Sequence, residues 1–202
     1  MSIGLIVDGQ AEPDALWELR GKLQASQSMI RPLYADLQPK AAPGQIARKA
    51  LSRVKMLRKR SASAIVLLID REDQRECPPS LACEIQDALD RLGEPGILVV
   101  VKNRSFENWL IADVGALAKL RARFRPTKAF RERVVPNKAD SVADGASLLN
   151  RICIDTTYHK RRDPPRILKA SDVGAMAKNS RSFRRFLRLV GDDRYRAQSK
   201  RP

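Results

Sequence analysis

Histidine is almost missing from this chain of 202 residues: His159 stands alone, and cysteine contributes only Cys77, Cys83 and Cys153. An odd number of cysteines at spacings that match no zinc motif argues against a disulfide framework and against a thiolate or imidazole zinc site. Free thiols of this kind fit a reducing cytoplasm. Aromatic residues make up 5% of the chain, too few for a platform on which successive bases could stack. Trp17, Trp109, Phe183 and Phe186 fall at helical spacings among apolar neighbours and are expected in the core. No apolar run approaches the roughly 18 residues of a membrane span, and the opening MSIGLIVDG reads as a strand rather than a signal peptide. The GxxxxGK[ST] phosphate loop is absent, so any nucleotide-driven step belongs to a separate ATPase chain.

Acid is the scarce charge: 23 Asp and Glu face 39 Lys and Arg, a formal net charge of +16. No fold requires that excess, and it repels itself unless a polyanion is close by. Nucleic acid is the leading partner, with anionic membrane and acidic protein as competitors that nothing else in the chain favours. The cations gather in segments suited to phosphate contacts. Arg48, Lys49, Arg53 and Arg58 lie on one predicted helix, Arg121 to Arg133 follow a change of pattern, and Arg181, Arg184, Arg185 and Arg188 share a late segment. Each has a plainer reading as a solvated helical face.

Four apolar runs rich in leucine and β-branched residues stand out: Ile3 to Val7, Met29 to Leu37, Ala64 to Ile69 and Gly96 to Val101. The first, third and fourth are nearly continuous apolar stretches, which is what strands covered on both faces look like. Helical segments alternate with them over Pro13 to Leu23, Gln45 to Lys59 and Leu81 to Leu92, the second carrying Ile46, Ala50, Val54 and Leu57 on one face. This alternation predicts an α/β protein with a mainly parallel four-stranded sheet flanked by helices. Residues 1–120 form the core in this reading, residues 121–191 a basic helical extension with helices near Asp140 to Cys153 and Ser171 to Leu189, and residues 192–202 a flexible tail.

Parallel sheets place ligands beyond the carboxyl ends of their strands. There the chain carries Asp8-Gly9-Gln10-Ala11-Glu12, Asp70-Arg71-Glu72-Asp73 and Lys102-Asn103-Arg104-Ser105-Phe106-Glu107. Acids gathered at three strand ends of so basic a protein need a compensating cation, and clustered hard oxygens suit Mg²⁺ or Mn²⁺. Taken singly, the same residues read as turn and capping groups, with Ser105 as an N-cap and Gly9 serving a positive φ in the strand-to-helix turn.

GLIVDGQAE resembles the first Toprim motif, LLIDRED the second, and RSFENW the Ser-x-Glu motif of Toprim nucleases of the OLD (overcoming lysogenization defect) type. The opening GLIV-acid-GQ-x-E, the segment containing Glu107, Trp109, Ala112 and Asp113, and the late Ser182 to Leu187 are similar to the small Toprim-like proteins of domain-of-unknown-function family 4276. Asp8 stands where Toprim proteins usually carry glutamate, and Glu72 where they usually carry aspartate. The resemblance implies a Toprim-like core and a metal-dependent nuclease, in bacterial anti-phage or mobile-element defence. Asp8, Glu12, Asp70, Glu72 and Glu107, with Ser105 assisting, would hold one or two Mg²⁺ or Mn²⁺ ions for in-line hydrolysis of a phosphodiester. Lys102 is the first candidate for the cation that meets developing charge, with Lys138 and Lys178 behind it. The alternative is a non-catalytic nucleic-acid-binding or regulatory Toprim module that works with a separate ATPase. A topoisomerase would need a tyrosine nucleophile, and Tyr34, Tyr158 and Tyr195 have no distinctive context.

Overall fold

The computed structural model describes residues 1–197. Its elements run β1 (Ser2–Val7), α1 (Glu12–Trp17), β2 (Ser28–Met29), β3 (Leu33–Tyr34), α2 (Pro43–Lys59), β4 (Ala64–Asp70), α3 (Pro78–Arg91), β5 (Ile97–Lys102), α4 (Phe106–Ile111), α5 (Val114–Lys119), α6 (Lys128–Arg133), α7 (Gly145–Asn150), α8 (Asp163–Ala170), α9 (Val173–Asn179) and α10 (Arg181–Leu189). All the strand pairings are parallel, in the order β2-β1-β4-β5, with β3 also on β1.

The sheet has five strands rather than four, because the run from Met29 to Leu37 is broken. Pro32 has no N–H to give a ladder. β2 pairs with the start of β1 (Ile3 with Met29) and β3 with its end (Ile6 with Leu33), so the edge chain takes one residue more than β1 between these pairs.

Alternation along the strands sorts their side chains to two faces. Ile6, Ile65, Leu67, Ile69, Val99 and Val101 pack under α2 and α3, and Gly4 lets α2 come close, since a Cβ there would lie 2.7 Å from Leu57. Leu5, Val7, Val66, Leu68 and Val100 face the other way, into a cluster with α1 and the helices beyond residue 105. The chain after residue 120 therefore shares a buried cluster with the strands.

Capping residues cut this half into short helices. Ser180 accepts the N–H of Phe183 and Asp172 that of Ala175, so the helix expected near Ser171 to Leu189 is two, α9 and α10. Likewise Asp144 caps α7, and the segment expected as one helix from Asp140 begins with a 3-10 turn over Ala139–Ser141. The tail expected from residue 192 starts too early. Asp192 is buried, its carboxylate accepts from Gln24 N and Arg194, and a 3-10 turn follows over Asp193–Tyr195. Lys200 and Arg201 lie outside the described residues.

Candidate functional site

The register of the sheet assembles the site. β1 ends beside β4, and Asp70 closes β4 directly opposite Lys102, the last residue of β5. The Asp70 backbone N–H donates to Asp8 Oδ2 at 2.9 Å, which ties the end of β4 to the residue after β1. Glu12 opens α1, its N–H bonded to the Gly9 carbonyl at 3.1 Å. Its side chain folds back over Gly9, where a Cβ would meet Glu12 Oε1 at 2.7 Å. Close approach is thus what Gly9 provides; the positive-φ glycines are Gly93, Gly96 and Gly191.

Asp8, Glu12 and Asp70 each place a carboxylate oxygen within 4.8 Å of the other two. Into this group runs Lys102, with 0% of its side chain exposed. Its Nζ lies 2.9 Å from Asp8 Oδ1, 2.6 Å from Glu12 Oε1 and 2.9 Å from Asp70 Oδ1, and 5.4 Å from the centre of the Phe106 ring. Asp70 Oδ1 is close to Nζ without hydrogen-bond geometry, and Glu12 Oε2 is buried with no hydrogen-bond partner.

Burial raises the Glu12 carboxyl well above its usual range, against the attraction of Lys102 and with help from Asp8 and Asp70. Burial likewise pushes Asp70 up to about 7 despite Lys102, with Asp8 and Glu107 adding to the rise. Burial works against the Lys102 ammonium, but Asp70, Asp8 and Glu12 overcome it and hold its pKa well above the ordinary lysine value. Three carboxylates against one ammonium leave a formal charge of −2 when all are ionised. Hard oxygen donors, the negative charge they carry once ionised, and the buried Glu12 Oε2 without a hydrogen-bond partner fit a small divalent cation of the Mg²⁺ or Mn²⁺ type.

These shifts make a pH prediction. Native Asp70 keeps its proton up to about 7, whereas in the unfolded chain it loses it near 3.8. The native state therefore binds more protons between those values, and this group's contribution to stability is full below the lower one and lost as pH rises through the upper one. In EDTA, urea denaturation is expected to show stability falling by up to about 1.4 kcal/mol per pH unit inside that window. Asp70→Asn is expected to lessen the slope, the raised Glu12 carboxyl contributing what remains; an unchanged slope would show that Asp70 ionises normally.

The other expected ligands lie outside the cluster. At Glu72 the chain has left β4 and turned to φ 52°, so the strand alternation that would return its side chain to the Asp70 side is lost. Its carboxylate is 40% exposed, 3.4 Å from Lys40 Nζ. Ser105 is engaged in capping, its N–H and hydroxyl both bonded to Asn108 Oδ1. Glu107, in the first turn of α4, acts on Asp70 through its charge and lies near Tyr158, whose phenol is pushed upward chiefly by burial and then by the Glu107 charge. Lys138 and Lys178 are exposed, and among the described residues neither forms an ion pair with the three carboxylates.

Of the cations expected at phosphates, Arg48, Lys49, Arg58 and Arg181 are exposed, Lys49 lying 3.8 Å from Asp36. Arg53 instead donates to the Tyr34 carbonyl at 2.7 Å, and Arg184 to the Ala177 carbonyl and Asn137, while Arg185 is half-buried. The sequence reading did not single out Arg71 or Arg104. Arg71 N–H donates to Lys102 O, and Glu72 N–H to Arg104 O, stitching together the loops after β4 and β5. Arg104 sits at φ 140°, a region L residues rarely adopt, and no pattern of residue types announces that.

No curated protein and no solved structure matches the chain. A family model described as a domain of unknown function (DUF4276) matches residues 16–190, a span that includes Asp70, Lys102 and Glu107 and begins after Asp8 and Glu12. With most of its length matched, the chain belongs to the DUF4276 family.

Proposed function

We propose that the protein is a divalent-metal-dependent nuclease that hydrolyses nucleic-acid phosphodiester bonds. The observation that carries this reading is the meeting of Asp8, Glu12 and Asp70 at the carboxyl ends of neighbouring parallel strands, with the buried Glu12 Oε2 left without a hydrogen-bond partner, in a chain of net charge +16. Asp8, Glu12 and Asp70 would hold the ion, with Glu107 adding negative charge beside Asp70. Bound Mg²⁺ or Mn²⁺ supplies Lewis acidity toward a phosphoryl oxygen and a more acidic bound water. The protein's own part is positioning: the Asp70 N–H orients Asp8, and Gly9 lets Glu12 turn inward. Exposed Arg48, Lys49, Arg58 and Arg181 suit contacts to the phosphate backbone that are blind to base identity. The motif resemblance to Toprim nucleases of the OLD type supports the same reading, with DNA ahead of RNA, in the cytoplasm and in anti-phage or mobile-element defence.

A second reading draws on the Lys102 ammonium at the centre of the acids and on Glu72 outside them: a non-catalytic nucleic-acid-binding module partnered with a separate ATPase. The test incubates supercoiled plasmid, linear duplex, single-stranded DNA and RNA with Mg²⁺ or Mn²⁺, beside an EDTA control and Asp8→Asn/Asp70→Asn. Cleavage that needs metal and is lost in the variant is the expected result. Salt-sensitive binding by both proteins without cleavage of any substrate would replace the nuclease with the binding module.

A further inference from the structure

We propose that Lys102 and a divalent cation occupy one position in turn, the ammonium being the site's resident counter-ion and metal entering only when Lys102 withdraws. This rests on the metal-site reading above and adds what controls loading. An ion bound to the inward oxygens of Asp8, Glu12 and Asp70 would stand where Nζ stands now, 2.6 to 2.9 Å from one oxygen of each. The lysine side chain is fully enclosed, with its charge directed at these acids and away from solvent. With all three carboxylates ionised, one ammonium under-neutralises the group, and a divalent ion is the better electrostatic match once the position is free.

The backbone around Lys102 is held on both sides. Its carbonyl accepts from Arg71 N–H and Arg104 N–H at 2.9 Å each, and it pairs in register with Asp70. Exchange therefore falls to the four-carbon stem of the side chain, which has the rotatable bonds to swing a point charge away. The device keeps the acids compensated before metal arrives, so the apoprotein does not present naked carboxylates to a polyanion. Apparent metal affinity is then reduced by the fraction of molecules in which the lysine has withdrawn.

Two measurements test this. Wild-type protein is treated briefly with an N-hydroxysuccinimide acetate in EDTA or in saturating Mn²⁺, and acetylation of Lys102 is quantified by peptide mass spectrometry. Lys102 is expected to be protected in EDTA and labelled in Mn²⁺. Mn²⁺ binding is also measured by calorimetry for wild type and for Lys102→Met, refolded with Mn²⁺ if it does not fold alone, and the variant is expected to bind at least about tenfold more tightly. Mn²⁺ bound by wild type with Lys102 still protected, and no tighter binding by the variant, would overturn the exchange and leave the metal site standing. Failure of both proteins to bind Mn²⁺ would instead overturn the metal reading, and this inference with it.

Discussion

Lys102→Met is expected to cost the protein about 3–5 kcal/mol of stability in EDTA, the range for removing one partner of a buried ion pair. The loss arises from what stays behind. Asp8, Glu12 and Asp70 remain within 4.8 Å of one another, Glu12 buried and the other two side chains largely covered, with no cation between them. Methionine fills most of the lysine's volume, so a cavity contributes little and the effect is electrostatic. That assignment is checked by adding Glu12→Gln and Asp70→Asn to Lys102→Met. If repulsion among the carboxylates is the cause, urea denaturation will show much of the loss recovered, although the same substitutions in wild type remove favourable pairs. A Lys102→Met protein as stable as wild type would mean that the carboxylates accept protons at no cost and that the ammonium is dispensable.

Trp109→Ala is expected to lose about 3–5 kcal/mol, the usual range for an aromatic deleted from a packed core. Trp109 is 1% exposed, with ring centres of Phe106, Phe183 and Phe186 at 6.2, 5.1 and 5.3 Å. Its Nε1–H donates to Ser182 Oγ at 2.8 Å, and Ser182 in turn donates through N–H and hydroxyl to the buried Asp140. One side chain thus joins α4, which follows directly on the acidic loops, to α10 and to the 3-10 turn before α7. Trp109→Phe keeps much of the apolar contact and forfeits the hydrogen bond, so a smaller loss is expected there. Equal losses in the two variants would place the energy in the hydrogen-bonded network rather than in the rings.

Much of this architecture was legible in the sequence. The runs at Ile3, Ala64 and Gly96 became β1, β4 and β5 because a strand buried on both faces has to be apolar throughout. Trp109, Phe183 and Phe186 went to the core as their spacing suggested, while Trp17 is only partly covered and lies under the Arg20 guanidinium. Asp8, Glu12 and Asp70 stand at strand ends in the sequence, and those ends do come together. Glu72 follows the same rule in the sequence and does not join them, since two-residue alternation holds only while the strand continues. Residue types alone did not distinguish Arg53, held by the Tyr34 carbonyl, from exposed Arg48 on the same helix.

The amino-acid sequence by itself determined an α/β chain with parallel strands, a strong positive charge, and acids at the edge where such sheets carry their sites. Those are properties of local periodicity and composition, which neighbouring residues settle among themselves. Only the tertiary structure decided which charges meet. The pairing of Asp70 with Lys102 is a consequence of sheet register between segments about thirty residues apart, and the contact of both with Asp8 and Glu12 depends on β1 lying beside β4. A buried ammonium among three carboxylates is a long-range electrostatic arrangement, and its energy exists only once the strands have closed it off from water.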